Sequence, residues 1–482
     1  VKLRRRDFLA TPVAAAAPLR LHAQQSGKRP NILFITSDDL GLQVNCYGEK
    51  RIATPHMDKL AASGVRFTTA YVAQASCSPS RSAMFTGVYP HGNGQYGLAN
   101  GGFSLHEPMR TRTIPALLKE HGGYRTGIIG KLHVEPEDTF PWDMRARGID
   151  TRKVRTVAPE AGKFIQSTGD APFFLMVNFS DPHAFRDADN PTQWYFPPQV
   201  DGLPEKPIAP SAATLFDFQQ VDSPEQRERT AHYLNAIARL DAGIGMLMAE
   251  LEKSGKANNT VVVFCGDHGP PFARGKTTVY ESGLRIPFFL RWPGVTKAGV
   301  VSERFVSTVD ILPTILDAAG IKAPQPLHGQ TLRDAVQGRR WREHLAAEFH
   351  FHGAAPFYPR RAIRDKRYKL IHNLLAGSAK PSAVIDGDSA YAQSQEARYD
   401  GTPTRQAFNT FADPPEFELY DLQADPVEFR NLSAQPEMAP VLKRMQKAML
   451  DWRKQTQDPF LDAAFTDRIR KQGAPANRQK KG

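Results

Sequence analysis

The chain has 482 residues, 41% of them hydrophobic, enough for a large buried core. No apolar run reaches the roughly 18 residues that a membrane-spanning helix needs, so no span is expected. Of the net charge of +12, residues 1–23 carry +4 and residues 468–482 carry +6, which leaves the body only +2; the basicity is therefore no sign of a nucleic-acid-binding face.

The first residues, "VKLRRRDFLATPVAAAAPLRLHAQ", set Arg5 and Arg6 before Asp7, Phe8 and Leu9, then a short Ala-rich apolar run and a small residue, Ala23, at a cleavage point. This pattern reads as a twin-arginine-type export signal over 1–23, predicting a periplasmic or secreted mature chain. The three cysteines, Cys46, Cys77 and Cys265, cannot all pair within one exported chain.

Strand and helix patterns then alternate. "NILFITS" (31–37) is a continuous apolar strand, and "TPHMDKLAASG" (54–64) a helix with Thr54 as cap and Gly64 as stop. "CSPSRSAMFTG" (77–87) is a second helix, with Pro79 in its first turn and Gly87 at its end. "TIPALLKEHGG" (113–123) repeats the helix grammar, and "YRTGIIG" and "PFFLMVNFS" follow as strands. Residues 186–222, rich in Pro, Asp and Gln, read as a long insertion near the site. Residues 223–255 form one long helix with a capping-box pair, Ser223 and Gln226. "TVVVFCG" (260–266) is a strand and "DILPTILDAAG" (310–320) a helix. After about residue 340 the pattern turns to antiparallel strands ("RRAIRDKRYKLIHNL", "EFELYDLQ") and a covering helix, 439–455. The expected fold is α/β: a large, mostly parallel mixed sheet sandwiched by helices over 24–340, a smaller C-terminal α+β subdomain over 341–467, and a basic tail over 468–482.

In open α/β sheets, function collects beyond the carboxyl ends of strands. Here such ends carry Asp38 and Asp39, Lys131 and His133 ("GKLH"), Asp181 and His183 ("SDPH"), and Asp267 and His268 ("GDHG"). Asp38, Asp39 and Asp267 offer hard oxygen ligands, with His268 to complete the shell, a set that suits Ca²⁺, or Mg²⁺, better than Zn²⁺. Arg81, Lys131 and Lys276 add three cations, and with a metal they describe a pocket for a tetrahedral anion. Cys77 opens a helix, where the dipole and free N–H groups favour an anion or a reactive thiolate.

C-x-P-x-R followed by "SAMFTG" resembles the signature of the sulfatase family, with Cys77, Pro79, Arg81, Thr86 and Gly87 all in pattern. The resemblance runs from about residue 30 to residue 459 and implies an alkaline-phosphatase-like fold. It implies that Cys77 is oxidised to formylglycine before folding, by a formylglycine-generating enzyme acting on the unfolded chain. The hydrated aldehyde then attacks sulfur through one hydroxyl and expels sulfate through the other, which an ordinary serine or cysteine ester cannot do. Asp38, Asp39, Asp267 and His268 match the metal ligands, together with residue 77; many members have Asn where His268 stands. Lys131 and Lys276 match the sulfate-contacting lysines, His133 the residue that holds the formylglycine hydroxyl and takes its proton, and His183 the leaving-group acid.

"HGNGQYGL", "RTGIIGKLHVEPE", "GDHGPPFARGKTTVY", "KLIHNL" and "ELYDLQADPVEFRNL" look like the N-sulfoglucosamine sulfohydrolase (sulfamidase) branch, whose mammalian members have Arg where Lys276 stands. That branch implies an S–N bond, N-sulfated glucosamine at the end of heparin or heparan sulfate fragments, and sugar contacts from Asp181, His350, His352 and Arg361. The alternatives are an O-sulfatase on glucosamine or another sulfated glycan, a phosphonate or phosphodiester hydrolase of the same superfamily, and an inactive glycan-binding protein. A homodimer is compatible with the resemblance.

Overall fold

The computed structural model describes residues 28–187, 189–190, 193–353 and 355–473. The export signal expected over 1–23 lies outside them. The central strand is β1 (Asn31–Ser37), an apolar run buried along its whole length. It belongs to an eight-stranded sheet with β2 (Val65–Phe67), β3 (Arg125–Ile129), β4 (Met144–Ala146), β5 (Phe173–Phe179), β6 (Thr260–Gly266), β7 (Phe288–Arg291) and β8 (Val300–Ser302). The order across the sheet is β8-β2-β7-β6-β1-β5-β3-β4. All neighbours run parallel except β7, which is antiparallel to both β6 and β2.

Side chains alternate between the two faces of a strand, so each buried run feeds two cores. Ile32, Phe34, Phe174, Met176, Val261 and Val263 face one, with α3 (Ile114–Gly122) and α6 (Ile311–Ala318). Leu33, Ile35, Leu175, Val177, Val262 and Phe264 face the other, with α1 (Pro55–Ala62), α4 (Val154–Ser167) and the long α5 (Pro224–Lys253). Burying both faces is what a mostly parallel sheet requires, and it accounts for the unbroken apolar runs.

The second sheet is antiparallel, in the order β9 (Leu345–Phe349), β10 (Arg360–Arg364), β11 (Tyr368–Asn373), β12 (Phe417–Asp421). Helix α7 (Ala439–Gln455) packs Met445 and Met449 on Ile363, Leu370 and Leu419 of this sheet. Leu345, Ala347, Phe349, Ala362, Ile371 and Tyr420 belong to the first core of the large sheet, so the two sheets share one interior.

Three local expectations change. Ser223 does cap α5, its Oγ accepting from Gln226 N at 3.2 Å, but the Gln226 amide donates to Asp388 at 2.7 Å instead of returning to the cap, so the box is half made. Gly64 is needed for contact more than for stopping α1, which ends at Ala62: a Cβ there would lie 2.3 Å from the Leu290 carbonyl of β7. The start of the basic tail is not a tail. Helix α8 (Ala463–Gln472) carries Arg468 over Phe465, and Arg470 bonds the Ser378 carbonyl at 2.7 Å.

Candidate active site

Three strand ends are brought level by register. Ser37 of β1 lies beside Phe179 of β5 and Gly266 of β6. The next residues continue the ladder, with Asp38 N donating to Phe179 O at 3.1 Å and Asp267 N to Ser37 O at 2.9 Å. Asp38, Asp39 and Asp267 thus converge, each no more than 2% exposed. Asp39 has φ of 61°, a left-handed backbone rarely held by a non-glycine residue, and its N–H donates to Asp267 Oδ1 at 2.9 Å.

Helix α2 (Cys77–Thr86) is aimed at this point and is buried throughout. Cys77 is its first residue, and Arg81, one turn on, lies on the same face. The Arg81 guanidinium reaches Asp38, Asn178 and Asp267, and its Nη1 donates to the Lys131 carbonyl at 3.0 Å. Lys131 Nζ donates to Asp38 Oδ2 at 2.8 Å. Burial alone would raise the Asp38 carboxyl, but Arg81 and Lys131 hold it well below its usual range.

Asp39 Oδ2 accepts from Lys276 Nζ at 3.0 Å, while its buried Oδ1 has no hydrogen-bond donor. That orphan oxygen lies 3.2 Å from His268 Nε2, which is 3.3 Å from Cys77 Sγ. His268 donates its Nδ1–H to the Gly269 carbonyl at 2.9 Å, so Nε2 faces inward. Burial lowers the His268 imidazolium, but Asp267, Cys77 and Asp39 outweigh it and raise its pKa to about 9, so a cation bound there would displace the Nε2 proton. Asp39, Cys77 and His268 offer ligand atoms within 4.8 Å of one another. Three buried carboxylates, an orphaned oxygen and an inward ring nitrogen fit a hard divalent cation.

His133 has φ of 56°, and its Nε2 lies 3.4 Å from Asn100 Oδ1, which can only accept. The lone pair is then on Nδ1, which is buried and without a partner. Burial first, then Lys131 and Arg81, hold its pKa well below the usual range, so the imidazole is neutral. His183 donates Nδ1–H to the Ala184 carbonyl at 2.6 Å and turns Nε2 toward Lys276 Nζ (3.5 Å) and Asp39 Oδ2 (3.8 Å). The Trp194 ring, from the 186–222 insertion, stands 6.2 Å from it. His352 shares a hydrogen bond of 2.9 Å with the hydroxyl of Ser76, next to Cys77, and burial and Lys276 lower its pKa to about 3.

Three expected sugar contacts are corrected. Asp181 is 1% exposed and grips Arg239 of α5 with both oxygens, at 2.6 and 2.7 Å. His350 is fully buried, with Nδ1 3.0 Å from Gln74 Oε1 and its ring stacked 4.7 Å from Phe460. Arg361 is fully buried and forks onto Asp458, both bonds at 2.8 Å, with Glu348 3.6 Å away. Asp181 and Arg361 are paired with buried charges and His350 is enclosed, with Nδ1 bonded and Nε2 left without a partner.

The structure adds two residues. Asn178, inside apolar β5, accepts from Thr36 at 2.8 Å and from Arg81; a polar residue in a fully buried strand is itself a signal. Asp386 ion-pairs with Lys276 at 2.8 Å from 110 residues further along the chain, and no sequence pattern announces it. Beside Lys131 a cleft of about 470 Å³ is lined by Arg145, Arg147 and Arg152.

The family model for Sulfatase matches residues 30–321, and the model for N-sulphoglucosamine sulphohydrolase, C-terminal, matches residues 266–380. The human N-sulphoglucosamine sulphohydrolase is 31% identical over 98% of this chain and 100% of its own. An ulvan-active sulfatase of Formosa agariphila is 28% identical over 89% of this chain and 80% of its own. A solved structure of a protein in complex with its substrate D-glucosamine-2-N,6-O-disulfate superposes with a TM-score of 0.66 and 22% identity, covering 89% of this chain and 99% of that one, which supports the fold. With the family model over more than half of its length and a relative 31% identical along nearly all of it, the chain belongs to the sulfatase family.

Proposed function

We propose that this sulfatase removes the N-linked sulfate of glucosamine at the non-reducing end of heparin or heparan sulfate fragments. The observation that carries this reading is the near-full-length similarity to N-sulphoglucosamine sulphohydrolase, which extends past the catalytic core into the C-terminal part. Residue 77, oxidised to formylglycine and hydrated, supplies one hydroxyl that attacks sulfur and a second that expels sulfate. Asp38, Asp39, Asp267 and His268, with residue 77, would hold Ca²⁺ or Mg²⁺, which when bound adds positive charge for the sulfate oxygens.

The chain's own groups do the rest. Arg81 fixes the carboxylates around residue 77, and Lys131 and Lys276 neutralise the transferring sulfonate group. His133 Nδ1 takes the proton of the hydroxyl that collapses to expel sulfate. His183, once protonated to the imidazolium, gives its Nε2 proton to the departing nitrogen and returns to the neutral ring held by the bond from Nδ1 to Ala184. The modifying enzyme acts on the chain before it folds, and the product of the export pathway works in the periplasm or outside the cell.

The similarity to an ulvan-active sulfatase favours a second reading, an O-sulfatase on another glycan. One experiment separates the two: incubate modified enzyme with N-, 2-O- and 6-O-sulfated glucosamine monosaccharides and disaccharides and identify the products. Release of N-sulfate, with O-sulfates retained, is expected. Intact N-sulfate with loss of an O-sulfate would overturn the proposal and leave the family assignment untouched.

A further inference from the structure

Lys276 Nζ sits among three groups: Asp39 Oδ2 at 3.0 Å, Asp386 Oδ2 at 2.8 Å and His183 Nε2 at 3.5 Å. Asp39, His183 and Asp386 have ligand-type atoms within 4.8 Å of one another, and the lysine ammonium already fills the space between them. Asp386 therefore stands beside His183, to which the proposed function gives the leaving-group proton. It keeps its charge there: burial opposes ionisation, but Lys276, His183 and His352 outweigh it and pull its pKa down.

The loop that carries Asp386 is fastened on several sides. Asp386 itself has φ of 44° and its carbonyl accepts from Arg229 of α5 at 3.0 Å. Two residues on, Asp388 accepts from Gln226 of α5 at 2.7 Å and from Ala273 N at 2.6 Å. The unfinished capping box of α5 finds its reason here, since Gln226 serves the Asp386 loop. Gly387 abuts Trp194, whose ring flanks His183. A strained, buried carboxylate held this firmly is a built feature of the site.

A carboxylate beside an anionic substrate repels it unless it meets a donor. One oxygen of Asp386 is taken by Lys276, and among the described residues no side chain or backbone group donates to the other. We propose that Asp386 accepts the N–H of the scissile sulfamate and so selects S–N over S–O bonds. This rests on the N-sulfatase reading above. The sulfamate nitrogen has one hydrogen and gains a second from Nε2 of His183 in its imidazolium form, whose Nδ1–H stays on the Ala184 carbonyl. The S–N electron pair then stays on nitrogen, the sulfonate group passes to the residue 77 hydroxyl oxygen, the proton of that hydroxyl goes to the buried carboxylates beside it, of which Asp39 has an unpartnered oxygen, and a neutral amine leaves. The nitrogen is cationic just before scission, so the hydrogen bond to Asp386 strengthens in the transition state. A sulfate ester presents lone pairs at the same point and no hydrogen, so the carboxylate rejects it.

The test uses the full, modified enzyme and Asp386→Asn, Asp386→Glu and wild type. Three quantities are read: kcat/KM on N-sulfoglucosamine, inhibition by glucosamine, whose amine takes up a proton after release and as ammonium mimics the cationic nitrogen before scission, and inhibition by inorganic sulfate. In Asp386→Asn, kcat/KM is expected to fall about 10- to 100-fold and glucosamine inhibition to weaken about tenfold, the scale of a hydrogen bond to a charged group. Sulfate inhibition should be unchanged or tighter, because Lys276 loses a competing anion. Asp386→Glu should restore part of the glucosamine inhibition. Glucosamine inhibition unchanged in Asp386→Asn, or sulfate and glucosamine binding lost together, would overturn the proposal. Unaltered thermal unfolding and retained sulfate inhibition exclude a folding failure. Wild type that leaves N-sulfate intact would instead overturn the reading on which this one rests.

Discussion

Arg81 shows how much one side chain organises. Its fork joins Asp38, Asp267 and Asn178 from three strands or their ends, and fully buried it cannot be replaced by the single-point charge of lysine. Its place one turn after Cys77 was legible, because the i, i+4 spacing puts both on one helix face. The errors at this scale have a common source. Asp181, His350 and Arg361 have the chemistry of sugar-binding groups, but a sequence does not show whether a partner has already been supplied. Arg239, Gln74 and Asp458 supply it. Asp181→Asn should therefore act on stability and leave recognition alone. Breaking the buried pair with Arg239 is expected to cost about 3–5 kcal/mol of unfolding free energy, with KM for the sulfated sugar unchanged within twofold. Urea unfolding and steady-state kinetics measure the two; a raised KM at unchanged stability would return Asp181 to the substrate.

Among the elements, the strands ending at the site were readable because a run buried on both faces must be apolar from end to end. Helix α8 was not: only Phe465 and Ile469 pack on the Phe460 cluster, too few to show a period among basic residues. The link between β9, β10 and the end of α7 was equally silent, being made by Glu348, His91, Arg361 and Asp458 across long separations. It gives a pH-dependent test. Burial would raise the Glu348 carboxyl, but His91 and Arg361 lower it from 4.5 to about 2. A depressed folded-state pKa means stability that is fully present above the unfolded value and lost as pH falls toward the folded one. Unfolding free energy should thus decline between about pH 4.5 and 2, and Glu348→Gln should flatten that part of the acid limb in denaturant titrations at stepped pH. An acid limb identical in the variant would remove Glu348 from the account.

For the molecule as a whole, the second sheet is no appendage. It completes the first core with Leu345, Phe349, Ile371 and Tyr420, and the C-terminal part sends His352 and Asp386 to the site. Each large apolar side chain left bare would forfeit about 1.5–3 kcal/mol. A chain ending at residue 340 is expected to show no cooperative calorimetric transition, whereas a sharp one would mean that the large sheet folds alone. The change of texture near residue 340 marks where strand direction changes, and it says nothing about where the interior ends.

The burial of α2 has a consequence for time as well as place. Cys77 is 2% exposed and every residue of its helix is enclosed, so no enzyme can work on that thiol once the chain has closed. On the proposed oxidation of residue 77, folding and modification race once in each newly made chain. A molecule that folds first keeps its thiol for as long as it stays folded. The active fraction of any preparation is then a record of how it was synthesised, and adding the modifying enzyme afterwards would leave that fraction where it was.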